Sequence, residues 1–156
     1  PTWNKPIVLF DNIKQHDYIM WIDSDAIFTN FDTTLEYIID NDRSKDLLLC
    51  SDIGGWTFNA GVQIWKNTEW SANQLLKWWN MKHVGHLEGG DQIQLINLMK
   101  STDPDYAHHR IFDQTLFNCH PRVHKEGMFI LHMMGKGGNE RVDAFIKWNI
   151  HNGVHM

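Results

Sequence analysis

Two carboxylates one residue apart, Asp23 and Asp25, stand directly after an apolar run, Tyr18-Ile19-Met20-Trp21-Ile22. The run is rich in aromatic and β-branched side chains and short for a helix, so it is expected to form a buried central strand. Alternation along an extended backbone would put both acids on one side, at the strand's carboxyl end, where open α/β sheets bind ligands. Like charges this close repel unless a cation lies between them or one takes a proton. The simplest resolution is a divalent metal held by hard oxygen ligands.

Other residues bear on that chemistry. His132 sits near the end of a late apolar segment, Gly127 to Met133, and Gly135-Lys136-Gly137-Gly138 follows at once. A lone histidine is more often a satisfied core residue, but here it has company. A glycine-rich loop lets backbone N–H groups approach phosphate oxygens, and Lys136 adds a point charge. Two acids and one imidazole suit Mn2+ or Mg2+ and leave positions open for a diphosphate. Gly61, inside an otherwise strand-like stretch, signals either a bulge or the close approach of a ligand or chain segment. Two rival readings of the acids remain. They could only cap the next turn, as Asp often does. Or Asp23 could be the nucleophile of a haloacid-dehalogenase-type phosphatase, whose motif is also Asp-x-Asp after an apolar strand. That site needs a lysine and a later acidic pair, and no clear acidic pair follows a second apolar strand.

The elements that must position these residues follow from periodicity. Trp3 to His16 reads as a short helix with Pro6 in its first turn. Asp32 or Thr33 is expected to cap a helix running to Asp40, and Leu47 to Ser51 reads as a buried strand. Gly54-Gly55 marks a turn, Thr57 to Lys66 a third strand, and Asn67 or Thr68 the cap of a helix to about Met81. The tryptophans of that helix read as core. His83 to Gly90 is expected to be a loop; His83 and His86 have a zinc-like spacing but lack completing ligands nearby. Asp91 opens the next helix and could serve only as its cap. His108 and His109 read as surface residues. Arg110 to Phe112 and Leu116 to Cys119 read as edge pieces, and Asn139 or Glu140 begins a last helix closed by Gly153.

The 156 residues are enough for one domain with a real core, expected over 1–156. A net charge of −5 argues against a nucleic-acid-binding surface. Cys50 and Cys119 are expected to be reduced and buried. No apolar run approaches a membrane span and no signal peptide precedes the first strand. These features fit a cytoplasmic location.

The blocks WIDSDAIFTN, FNAGVQIWKNTEW, GGDQIQLINLM and FILHMMGKGG, in this order, resemble those of retaining GT-A glycosyltransferases. The patterns are similar to glycosyltransferase family 34 and its relative family 8, and to the first domain of chlorella-virus capsid-glycan glycosyltransferases. The resemblance implies an α/β fold of the GT-A, Rossmann-like type, with a mixed central sheet flanked by helices. It implies transfer of a sugar from a nucleoside diphosphate, expected to be UDP, to a hydroxyl of a glycan or glycoprotein with retention. The cofactor implied is Mn2+ or Mg2+, and the location implied is the cytoplasm, including that of a virus-infected host cell, or the Golgi lumen if an anchor precedes Pro1. Asp23 matches the acid expected at the donor ribose and metal, Asp25 the principal metal ligand and His132 the third ligand. Gly135 and Lys136 match the diphosphate contacts, and Asn59, Ala60 and Gly61 the lining of the donor sugar. Asp91 and Gln92 match the pair near the anomeric carbon. An amide such as Gln92 is a poor nucleophile, so front-face attack is favoured over double displacement on Asp91. Two features depart from the pattern. Only one helix precedes Asp23 where such folds carry a strand, helix and strand for the base, so the domain is expected to be N-terminally incomplete. The Lys-Pro-Trp ending of family 8 is also missing after His132. The rivals are a nucleotide-sugar-binding domain without turnover and the phosphatase.

Overall fold

Leu47–Cys50 and Asn59–Lys66 bury nearly every side chain, and they form the middle of a four-stranded sheet in a computed structural model that describes residues 2–82 and 90–151. In chain order the elements are α1 (Lys5–Ile13), β1 (Tyr18–Ile22), β2 (Ala26–Phe28), α2 (Leu35–Ile39), β3 (Leu47–Cys50) and β4 (Asn59–Lys66). They continue with α3 (Glu69–Asn80), α4 (Gly90–Thr102), β5 (His109–Phe112), β6 (Ile130–His132) and α5 (Gly138–His151). The large sheet has the order β1-β4-β3-β5, with β4 antiparallel to both its neighbours and β3 parallel to β5. A small antiparallel sheet pairs β2 with β6, Ala26 opposite His132.

Side-chain alternation in β3 explains the layering. Leu47 and Leu49 face a cluster with Leu9 and Ile13 of α1, Leu75 and Trp78 of α3 and Leu95 of α4. Leu48 and Cys50 face the other way, onto Ile38 and Ile39 of α2, Phe117, Phe129 and Ile130. Each such side chain contributes roughly 1.5–3 kcal/mol by leaving water, so helices must cover both faces. The tryptophan-rich helix is core-facing as expected: Trp78 is fully buried, and its indole N–H donates to the Asp91 carbonyl at 2.9 Å. Both cysteines are free and buried, and burial pushes the Cys119 thiol up to about 11.

Several expectations are corrected. Strand β1 is half-buried and lies at the edge of the large sheet rather than at its centre, because β4 is the strand that pairs with it among the described residues. Thr34, not Asp32 or Thr33, caps α2, its hydroxyl accepting from the Tyr37 N–H. His109 is buried rather than on the surface, and His108 stacks on Trp70 at 4.7 Å. Helix α5 begins at Gly138, one residue earlier than expected. The candidate zinc residues His83 and His86, and Gly153, lie outside the described residues.

His109 is drawn inward by Asp103, which follows α4. The buried Asp103 carboxylate accepts the backbone N–H groups of Ala107, His108 and His109 at 2.8, 3.0 and 2.9 Å, and lies 2.6 Å from His109 Nδ1. Burial alone would raise its pKa, but the hydrogen bonds from His109 and the backbone outweigh it and hold the group below its ordinary value. Asp103→Ala is expected to remove about 3 kcal/mol of unfolding free energy at neutral pH, since it orphans buried donors. A depressed folded-state value gives stability that is present above the unfolded carboxylate value of about 3.9 and lost as pH falls through the lower one. Urea titrations from pH 7 to 2 should therefore show the two proteins converging in acid.

Candidate active site

The chain leaves β1 through a tight turn. The Ala26 N–H donates to the Asp23 carbonyl at 3.0 Å, which places Ser24 and Asp25 at the turn's corners. The turn, not strand alternation, therefore brings the two acids together. It is pinned from both sides: the Asp23 N–H donates to Gly61 O of β4, and the Met133 N–H beyond β6 donates to Asp25 O, each at 2.8 Å. Because Ala26 pairs with His132, the imidazole arrives beside Asp25. One ligand atom from each of Asp23, Asp25 and His132 lies within 4.8 Å of the others.

The protonation of His132 follows from a chain of fixed donors. Gly61 N–H donates to Asn59 Oδ1 at 2.8 Å, so that side-chain oxygen is an acceptor. Asn118 reaches the same oxygen at 3.1 Å, and must do so with its Nδ2. Its Oδ1 therefore faces His132 Nδ1 at 2.8 Å and receives a proton from it. In a neutral ring Nε2 is then a bare lone pair, yet it lies 3.2 Å from Asp25 Oδ1. Two acceptors in contact require a proton or a metal cation between them. The residues fit a metal: two carboxylates, and an imidazole whose far nitrogen is anchored, as ligating histidines usually are. Contact with His132 and the charge of Arg141 hold the Asp25 carboxyl below its ordinary value against the upward push of burial.

No protein-family model matches the chain, nor does any curated protein sequence. Solved structures match it. A glycosyltransferase involved in the glycosylation of the major capsid of PBCV-1 aligns with a TM-score of 0.75 at 14% identity, over 94% of this chain and 75% of its own. The glycosyltransferase GlyE of Streptococcus pneumoniae TIGR4 aligns with a TM-score of 0.55 at 21% identity, over 74% of this chain and 28% of its own. The chain has a glycosyltransferase fold. At these identities the likeness is one of architecture: a mixed sheet flanked by helices, as the motif blocks imply.

Within this glycosyltransferase fold the cleft at the turn has a volume of about 210 Å3. Asp23, Asp25, Asn59, Ala60, Gly61, Asp91, Gln92, His132 and Gly135, all singled out from the sequence, line it together. Lys136 does not: its ammonium lies 3.3 Å from Glu140 on the surface. Two cations that sequence reasoning passed over take its place. Arg141, in α5, reaches Asp25 Oδ2 at 2.9 Å. Lys5 is 2% exposed, which at a charged group demands partners; its Nζ lies 2.8 Å from Ala60 O and 3.1 Å from both Asp23 Oδ1 and Asp91 Oδ2. Its signal was present in the sequence: a lysine in the first turn of a helix opposes the macrodipole and so calls for compensating acids. Asp91 is accordingly more than a cap, its carboxylate being drawn to Lys5. Gln92 is held at both ends, its Oε1 accepting from the Ala60 N–H at 3.0 Å and its Nε2 donating to Asp52 at 3.2 Å.

Gly61 satisfies both of its sequence readings. The register between β3 and β4 shifts beside it, and the His132 ring lies against it so closely that an added Cβ would fall 2.0 Å from Cε1. Gly61→Ala is expected to displace the ring and cost about 1–3 kcal/mol by overpacking, measured by chemical denaturation. A stability equal to wild type would mean the ring does not sit on β4.

Proposed function

We propose that the protein is a metal-dependent glycosyltransferase that moves a sugar from UDP to a glycan hydroxyl with retention of anomeric configuration. The observation that carries this reading is the 3.2 Å contact between His132 Nε2 and Asp25 Oδ1, beside Asp23, in a chain with a glycosyltransferase fold. Asp23, Asp25 and His132 would hold Mn2+ or Mg2+, with Asn118 fixing the imidazole. The ion, when bound, supplies Lewis acidity to the departing diphosphate.

Charge in the cleft supports this. Lys5 and Arg141 face the three carboxylates of Asp23, Asp25 and Asp91, which leaves an excess negative charge that a divalent cation reverses. An anionic diphosphate then becomes an acceptable guest. Gly135, at φ 73°, turns the loop so that its backbone can approach phosphate, and Lys136 would reach the same group by leaving Glu140. Asn59, Ala60 and Gly61 would form the floor under the donor sugar, Asp91 would bind its hydroxyls and Gln92 would lie across its ring. The pairing of Asp91 with Lys5 favours binding over nucleophilic attack, because it ties up the carboxylate's charge. The acceptor oxygen would bond to the anomeric carbon on the face from which the diphosphate departs, and its proton would pass to the departing phosphate oxygen.

Thermal-shift measurements with UDP-sugars should show stabilisation that needs Mn2+, because a ligand of the folded state raises its stability. Asp25→Ala is expected to abolish the metal-dependent part; an unchanged shift would remove the site. Asn118→Leu should weaken Mn2+ binding about 10–100-fold, read from the electron paramagnetic resonance of free Mn2+. NMR of the product's anomeric proton reads retention, and donor binding without hydrolysis or transfer would identify a binding domain instead.

A further inference from the structure

A second cavity of about 270 Å3 opens beyond the wall formed by Asn59, Gln92, Met134 and Gly135, which line both spaces. Its polar groups are set with unusual care. Asp52 Oδ1 accepts the Gly54 N–H at 2.6 Å, and Oδ2 accepts Asn59 Nδ2 at 3.0 Å and Gln92 Nε2 at 3.2 Å. These are neutral donors, and no Lys or Arg pairs with this carboxylate among the described residues. An ionised carboxylate has about four acceptor sites, so one remains for a ligand. His120, buried in the wall, accepts the Arg122 N–H on Nδ1 at 3.1 Å. The neutral ring then carries its proton on Nε2, which has no protein partner among the described residues. Trp56 forms the third wall and is 50% exposed, with no ring or hydrogen-bond partner among the described residues.

These features select a ligand class. An unneutralised carboxylate repels phosphate, so the diphosphate of the donor belongs in the first cleft. A purely apolar guest would leave the fourth acceptor site of Asp52 and the Nε2–H of His120 unpaired. A neutral pyranose meets all three: its C–H face covers an indole, and its hydroxyls both donate to a carboxylate and accept from an imidazole N–H. We propose that this cavity is the acceptor subsite, binding one neutral sugar ring stacked on Trp56 with hydroxyls at Asp52 and His120, next to the donor cleft across Asn59 and Gln92. The subsite assignment rests on the glycosyltransferase reading of the first cleft; sugar binding itself does not.

Saturation-transfer NMR on the whole chain tests it, with methyl β-D-galactopyranoside, methyl α-D-mannopyranoside, methyl β-D-xylopyranoside and methyl α-L-rhamnopyranoside as probes, in Mg2+ and UDP. At least one glycoside should receive saturation at its ring protons. Trp56→Ala should weaken that binding about tenfold, and Trp56→Phe, which keeps an aromatic face, should restore most of it. If no glycoside of the panel binds wild type, or if Trp56→Ala binds equally well, the inference is wrong. The UDP signals in the same samples read the first cleft separately. UDP binding without glycoside binding overturns this subsite alone. Trp56-dependent glycoside binding without UDP supports a sugar site here and removes the donor reading.

Discussion

The missing side chain of Gly61 is the constraint on which the site depends. The backbone of β4 passes directly under the His132 ring, and the two are close enough that a single carbon would separate them. The same glycine donates its N–H to Asn59, the first link in the chain that sets the imidazole's tautomer, and its carbonyl receives the Asp23 N–H. One residue thus sets the height of the histidine, its protonation and the position of the first acid. The bulge beside it follows, because β4 must depart from regular pairing with β3 for Asn59 to turn inward.

Electrostatics supply the second layer. A lysine buried as fully as Lys5 is unfavourable alone, since removing an ammonium from water costs several kcal/mol. It is offset here by two carboxylates and a carbonyl drawn from three elements. The first turn of α1, the end of β1, the start of β4 and the start of α4 are therefore joined at one nitrogen. Arg141 does the same for α5 at Asp25. The cleft lies where these chain segments, already brought near one another by the sheet and the core, converge.

Much of this was legible in the string. The apolar runs at Leu47 and Asn59 and the cap at Thr68 were readable because burial and capping act locally. The residues of the motif blocks do converge, apart from Lys136. What the string hid was long-range. Asp23 and Asp25 meet through a turn that is pinned by Gly61 and Met133, partners too distant for any periodicity to reveal. His109 was misread because its burial is fixed by Asp103 across a loop. Lys136 stands out in the string, and Arg141 does not, because glycines draw attention to the residue between them, whereas reach depends on where α5 begins. Asn118 carries no motif; its role exists only because Asn59 and His132 flank it in space.

Trp21 has one further consequence. Its indole N–H donates to Asp23 Oδ1 at 2.6 Å, while Lys5 lies 5.5 Å above its ring. The excited indole is sensitive to the local field, and here both nearby charges, one at its N–H and one over its face, belong to the cleft itself. Any guest that draws on Asp23 or shifts Lys5 must alter that field. The protein therefore carries its own chromophoric gauge of occupancy, built into the strand that leads to the turn.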